Sequence, residues 1–153
     1  MKMYDISVPG MPVGKARPRV TRTGIVYTPK KTASMENLLK IAFTEKYPGH
    51  VPLEGMIEML VLSYFPLPKS MPKKKKALAV AGIISPTSRP DVDNIIKLAM
   101  DALEGVAYAR DSCIVGAAIK KFYSARPRTE VVLRKVQPVG LDDTVITKGE
   151  LPE

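Results

Sequence analysis

The chain has 153 residues, 45% of them hydrophobic, and a formal net charge of +9; this fits one domain with its own core and crowds out a second. No apolar run approaches the roughly 18–20 residues that span a bilayer, and the start lacks the apolar stretch of a secretion signal, so a cytoplasmic protein with no membrane segment is expected. The single cysteine, Cys113, excludes an internal disulfide, and with one histidine in the chain no zinc cluster is available.

Met3–Pro9 alternates apolar and polar residues, with Tyr4, Ile6 and Val8 on one side and Asp5 and Ser7 on the other, which predicts a first strand. Gly10, Pro12 and Gly14 break the chain. Lys15–Val20 and Ile25–Thr28 then flank Thr21–Gly24 and read as a hairpin of basic strands with Arg22 at its tip. From Lys31 to Tyr47 the residues Met35, Leu38, Leu39, Ala42 and Phe43 recur at helical spacing; Thr32 or Ser34 can cap this helix, and Pro48-Gly49 stops it. Gly55–Phe65 has the composition and length of one long strand of the sheet.

Pro66–Pro90 differs in kind. It holds five prolines, Lys69, Lys73, Lys74, Lys75, Lys76 and Arg89 with no acidic residue, and so reads as a basic, partly mobile excursion. Within it, Ser70-Met71-Pro72 can start a short helix that runs through Val80 and stops at Gly82. A stronger helix follows from Val92 to Glu104, where Val92, Ile95, Ile96, Ala99, Leu103 and then Val106 make one apolar stripe ended by Gly105. Cys113–Tyr123 and Glu130–Val136 are β-rich and joined by Ser124–Arg128, which predicts a final hairpin. The last seventeen residues, 137–153, hold Asp142, Asp143, Glu150 and Glu153 against Lys148 and look like a disordered acidic tail, leaving +12 on residues 1–136. That excess favours a polyanionic partner through counterion release, with an anionic membrane surface or plain solubility as rival accounts.

Against this basic background, Arg89-Pro90-Asp91-Val92-Asp93-Asn94-Ile95-Ile96-Lys97 places two carboxylates beside a lysine. One or two carboxylates plus phosphate oxygens and waters complete a Mg²⁺ shell, so the pattern suits a metal facing phosphates. Spacing alone favours a plainer account: Asp91 or Asp93 caps the helix, and Asp93, Lys97 and Asp101 form i,i+4 pairs each worth a few tenths of a kcal/mol. Lys15, Arg17, Arg19 and Arg22 of the first hairpin, with Lys73, Lys74, Lys75, Lys76 and Arg89, are candidate phosphate contacts; ordinary solvated surface is the alternative. Tyr108 and Tyr123 are candidates for stacking on exposed bases or for packing at the sheet edge.

Ser85-Pro86-Thr87-Ser88-Arg89-Pro90-Asp91-Val92-Asp93-Asn94, then Asp101-Ala102-Leu103 and Asp111-Ser112 before a β-rich region, resemble the RusA family of Holliday junction resolvases. Lys15-Ala16-Arg17-Pro18-Arg19 and Tyr27-Thr28-Pro29 are similar to the amino-terminal pattern of its phage and prophage members, so the resemblance covers residues 4–136. It implies a dimeric, Mg²⁺-dependent endonuclease, with Mn²⁺ as substitute, that cuts four-way DNA by paired nicks in recombination and repair. It assigns Asp91, Asp93 and Asp111 to the metal and Lys97 to an essential catalytic role; Arg110 stands where some members carry a further acid. The architecture expected is α+β: a two-layer sandwich with a small mixed sheet against two main helices, forming one nuclease domain over residues 1–136. The alternative functions are a non-catalytic nucleic-acid-binding module and a basic ribosome-associated or membrane-surface protein.

Overall fold

The structure, a computed structural model, describes residues 2–138. The acidic tail expected from residue 137 lies, beyond Pro138, outside the described residues. Strand β1 spans Met3–Pro9 and buries Tyr4, Ile6 and Val8 while Asp5 and Ser7 face water, as its alternation predicts. Helix α1 spans Lys30–Lys46, β4 Ile57–Pro66, α2 Lys73–Val80, α3 Val92–Leu103, β5 Ile114–Ser124 and β6 Arg128–Lys135, with a one-turn 3₁₀ helix at Asp111–Cys113 before β5. The basic hairpin is shorter than its sequence suggests: β2 (Arg19–Val20) and β3 (Val26–Tyr27) have two residues each, closed by Thr21 Oγ1 accepting from the Ile25 amide at 3.1 Å.

The fold is α+β, with a four-stranded mixed sheet in the order β1-β6-β4-β5. β4 and β5 are parallel, whereas β6 runs antiparallel to both β1 and β4. The expected β5–β6 hairpin therefore does not form; β4 lies between them, and Ala125–Pro127 crosses its end. The reason lies in β4 itself. It presents Ile57, Met59, Val61 and Phe65 to the buried face and Leu60 and Leu62 to the other, and a strand apolar on both faces gains most from a central place. β5 carries Lys120 and Lys121 and suits an edge, where lysine discourages further strand pairing.

One sheet face is covered. Met35, Leu39 and Phe43 of α1 and Ile95, Leu98, Ala99, Ala102 and Leu103 of α3 join the sheet residues Tyr4, Ile6, Val8, Val61, Val131 and Leu133 in one core. The buried stripe of α3 is rotated from the sequence reading: Val92 is exposed and Ile96 only partly covered, while Leu98 and Ala102 are buried. On α1 the buried line is Thr32, Met35, Leu39 and Phe43, with Leu38 exposed; neither Thr32 nor Ser34 caps it, since Pro29 holds the cap position without a side-chain hydrogen bond. His50, on the loop after α1, packs edge-on against Tyr4 and Phe43, each at 4.9 Å, and its Nε2 lies 2.9 Å from the Ala107 carbonyl. Among the described residues no helix is long and apolar enough to cross a membrane.

Candidate active site

α1 follows β1 and α3 precedes β5, and the connections at one sheet end bring the two helix starts together. The loop after β1 is the clasp. Lys15 donates its amide to the Asn94 carbonyl at 2.7 Å, and Thr32 Oγ1 donates to the Gly14 carbonyl at 3.2 Å while accepting from the Ala16 amide at 3.1 Å. Gly14 is required by space rather than by φ: a Cβ there would stand 2.8 Å from Pro90 Cβ and 3.0 Å from Asn94 Cβ. The Lys15 ammonium closes the clasp, bridging Glu36 of α1 at 2.5 Å and Asp101 of α3 at 3.1 Å. Desolvation pushes the Lys15 pKa down, and the hydrogen bonds it donates to Glu36 and Asp101, with their charges, outweigh it, so the ammonium titrates above the ordinary lysine range. Two sequence assignments change as a result. Lys15 is committed to the fold instead of joining the candidate phosphate contacts, and Asp101 pairs with Lys15 rather than Lys97.

Asp91 occupies the N-cap position of α3 with extended backbone (φ −74°, ψ 153°), directly after the cis Arg89–Pro90 bond, yet its side chain makes no capping hydrogen bond. Asp93 lies in the first turn and Lys97 one turn further; all three residues are exposed. Among the described residues none of them has an ion-pair partner. Neither part of the plainer account, capping or i,i+4 pairing, is realised. The first turn of a helix is electrostatically suited to anions, so the fold tolerates both carboxylates there without neutralising them.

Asp111 is placed differently. After α3 the chain turns at Gly105, and the buried Tyr108 sends its hydroxyl to the Met100 carbonyl at 2.5 Å and to Asp111 Oδ1 at 3.0 Å. Burial, then the charge of Asp111, raises the Tyr108 pKa far above the phenol range, so the hydroxyl stays a donor. Tyr108 is thus a positioning group and is closed to base stacking. Asp111 is fastened to the second half of α3, whereas Asp91 lies about 13 Å of helix axis before Met100, at 1.5 Å per residue. Among the described residues no three acids stand close enough to share one ion. The Asp91–Asp93 pair shares one helix end, and Asp111 does not join it.

The cations sort by position. Arg17, Arg19, Arg22 and Arg89 are exposed, as are Lys73, Lys74 and Lys75, with Lys76 partly covered. Lys121 donates to the Ser88 carbonyl at 2.5 Å and lies over the Phe65 ring, which ties the approach to Asp91 to the edge strand. Sequence reasoning missed Lys30 and Lys31, which line a cleft of about 1090 Å³ beside Asp91 together with Arg17 and Arg89. A signal was present: they open α1, which has no acid in its first turn. Cations there oppose the helix dipole, so they point to an external anion. Lys73, Lys74, Lys75 and Lys76 repeat the arrangement at the start of α2.

A family model described as "Endodeoxyribonuclease RusA" matches residues 9–134. The Bacillus subtilis (strain 168) protein named "Uncharacterized protein YqaN" is 38% identical over 141 residues, covering 89% of this chain and 99% of that protein.

Proposed function

The chain belongs to the RusA family of endodeoxyribonucleases, and on that premise we propose that it is a Mg²⁺-dependent, structure-selective endonuclease that resolves Holliday junctions by paired nicks in recombination and repair. The observation that carries this reading is the pair of carboxylates, Asp91 and Asp93, exposed and unpaired among the described residues, at a helix start beside a cleft lined by Arg17, Lys30, Lys31 and Arg89. Two hard-oxygen donors free of protein cations fit Mg²⁺, or Mn²⁺ in its place, with waters and phosphate oxygens filling the shell. Asp91 and Asp93 would hold the ion, and Asp111 is the third acid that the family resemblance assigns. Bound there, such an ion supplies an acidified water and a counter-charge for the phosphorane and the leaving oxygen. Lys97 offers a compact ammonium with three donors one turn beyond Asp93, suited to the same developing charge. The clasp of Gly14, Lys15 and Thr32 holds the helix start, and the surrounding cations hold the sugar-phosphate backbone.

A four-way junction has two-fold related strands, so paired nicks call for a C₂ homodimer with two equivalent sites. The test is cleavage of four-way and linear DNA with and without Mg²⁺. Mixing wild-type with Asp93→Asn chains sharpens it: heterodimers should release nicked circles from a cruciform plasmid where wild-type dimers give linear product. A monomer on DNA at micromolar protein, or no enrichment of nicked circles, overturns the paired-nick reading. The second reading, a non-catalytic nucleic-acid-binding module, draws on the lack of a three-acid cluster among the described residues. Mg²⁺-dependent cutting by the wild-type chain that Asp93→Asn removes would eliminate it.

A further inference from the structure

The cleft beside Asp91 combines two features that a phosphate track does not need together. Its lining holds four cations, Arg17, Lys30, Lys31 and Arg89, together with the apolar residues Met11, Val13, Met35, Leu38 and Pro90. Met11 and Leu38 are each 46% exposed, although the core of the same α1 is filled. At about 1090 Å³ it slightly exceeds the clefts that enclose small organic ligands, roughly 300–1,000 Å³. A ligand that joins an anionic group to a flat, largely apolar one matches that mixed lining; a nucleotide has this form. Asn94 lines the same wall. Its carbonyl is fixed by the Lys15 amide, and its side-chain amide has no hydrogen-bond partner among the described residues, leaving a donor and an acceptor for a base edge. A base paired within a duplex cannot enter such a cleft. At the crossover of a four-way junction, stacking is already interrupted and unstacking costs least.

We infer that this cleft takes one unstacked nucleotide of the DNA strand next to the phosphate facing Asp91 and Asp93, with its apolar residues against the base and Arg17, Lys30, Lys31 and Arg89 on the flanking phosphates. This rests on the nuclease reading and adds to it the means of preferring branched over linear DNA: only a branch presents the base cheaply.

The experiment uses the full chain in EDTA with four-way junctions carrying 2-aminopurine at each position within three nucleotides of the crossover. Binding should raise fluorescence several-fold at one position and leave a linear duplex of the same sequence unchanged. Leu38→Gln and Met11→Gln, both at exposed positions and neutral in charge, should each remove that rise. Each should also weaken junction binding about 10-fold, within the range for losing one base stack, and leave linear-duplex affinity unaltered. Tight junction binding with no fluorescent position, or a rise that survives both variants, overturns the cleft assignment. Failure of the nuclease reading shows separately, as wild-type protein that binds the junction and does not cut it in Mg²⁺.

Discussion

The two ends of α3 treat their acids in opposite ways. In the second half, Asp101 is held by Lys15 and Asp111 by Tyr108, whose hydroxyl also reaches the Met100 carbonyl. At the first turn, Asp91 and Asp93 stay exposed and unpaired among the described residues, although lysines and arginines abound nearby. Asp101 and Asp111 are satisfied by the fold, and of the two acids left free at the first turn Asp91 lines the cleft with its cations. Around one helix this separates carboxylates that hold structure from carboxylates available to a ligand.

Neutralising the free end should produce the largest effect on activity and the smallest on folding. Asp93→Asn and Asp91→Asn are each expected to lower Mg²⁺-dependent cleavage by about 10²–10³-fold or more, while thermal melting and junction binding hold or improve as repulsion toward phosphate is relieved. A variant that cuts at near wild-type rate would take its residue out of the site. Lys97→Ala should depress turnover far more than affinity, and an equal loss in both would make Lys97 a phosphate anchor.

The satisfied end should respond in reverse. Lys15→Met leaves Glu36 and Asp101 facing each other without their cation and should cost about 1–3 kcal/mol in denaturant unfolding. Because the folded pKa of Lys15 is raised, the contribution is present throughout the range below the usual 10.5 and is lost as pH climbs through the raised value. Wild-type protein should therefore lose stability above that pH by a component that Lys15→Met lacks; identical alkaline profiles would contradict the clasp. Tyr108→Phe keeps the ring and removes one hydroxyl shared by two acceptors, at about 1 kcal/mol. If Asp111 acts in cleavage, the same variant should slow cutting at full folding; unchanged cutting would leave Asp111 a structural acid. The smallest effect belongs to Asp5→Asn, which breaks a surface pair with Lys46 and should leave the melting temperature unmoved.

Local pattern was sufficient for β1, α3 and the approximate extents of α1, α2 and β4, because alternation and helical period act over a few residues and the breakers Gly49, Gly82 and Gly105 all adopt positive φ where the sequence places stops. The pairing of β5 with β4 instead of β6 was not legible: adjacency in sequence favours a hairpin, and only competition for the sheet centre gives that place to β4. The same holds at the site. The motif from Arg89 to Lys97 determined by itself which residues are chemically competent, since carboxylate, ammonium and proline are fixed by the sequence. Which acids remain free was decided by tertiary structure, because a lysine eighty-six residues before Asp101 claims that acid only once α1, α3 and the loop after β1 are packed together, while Tyr108 holds Asp111 within one local turn. Charge pairing in a folded chain depends on distance in space, which spacing along the chain does not encode.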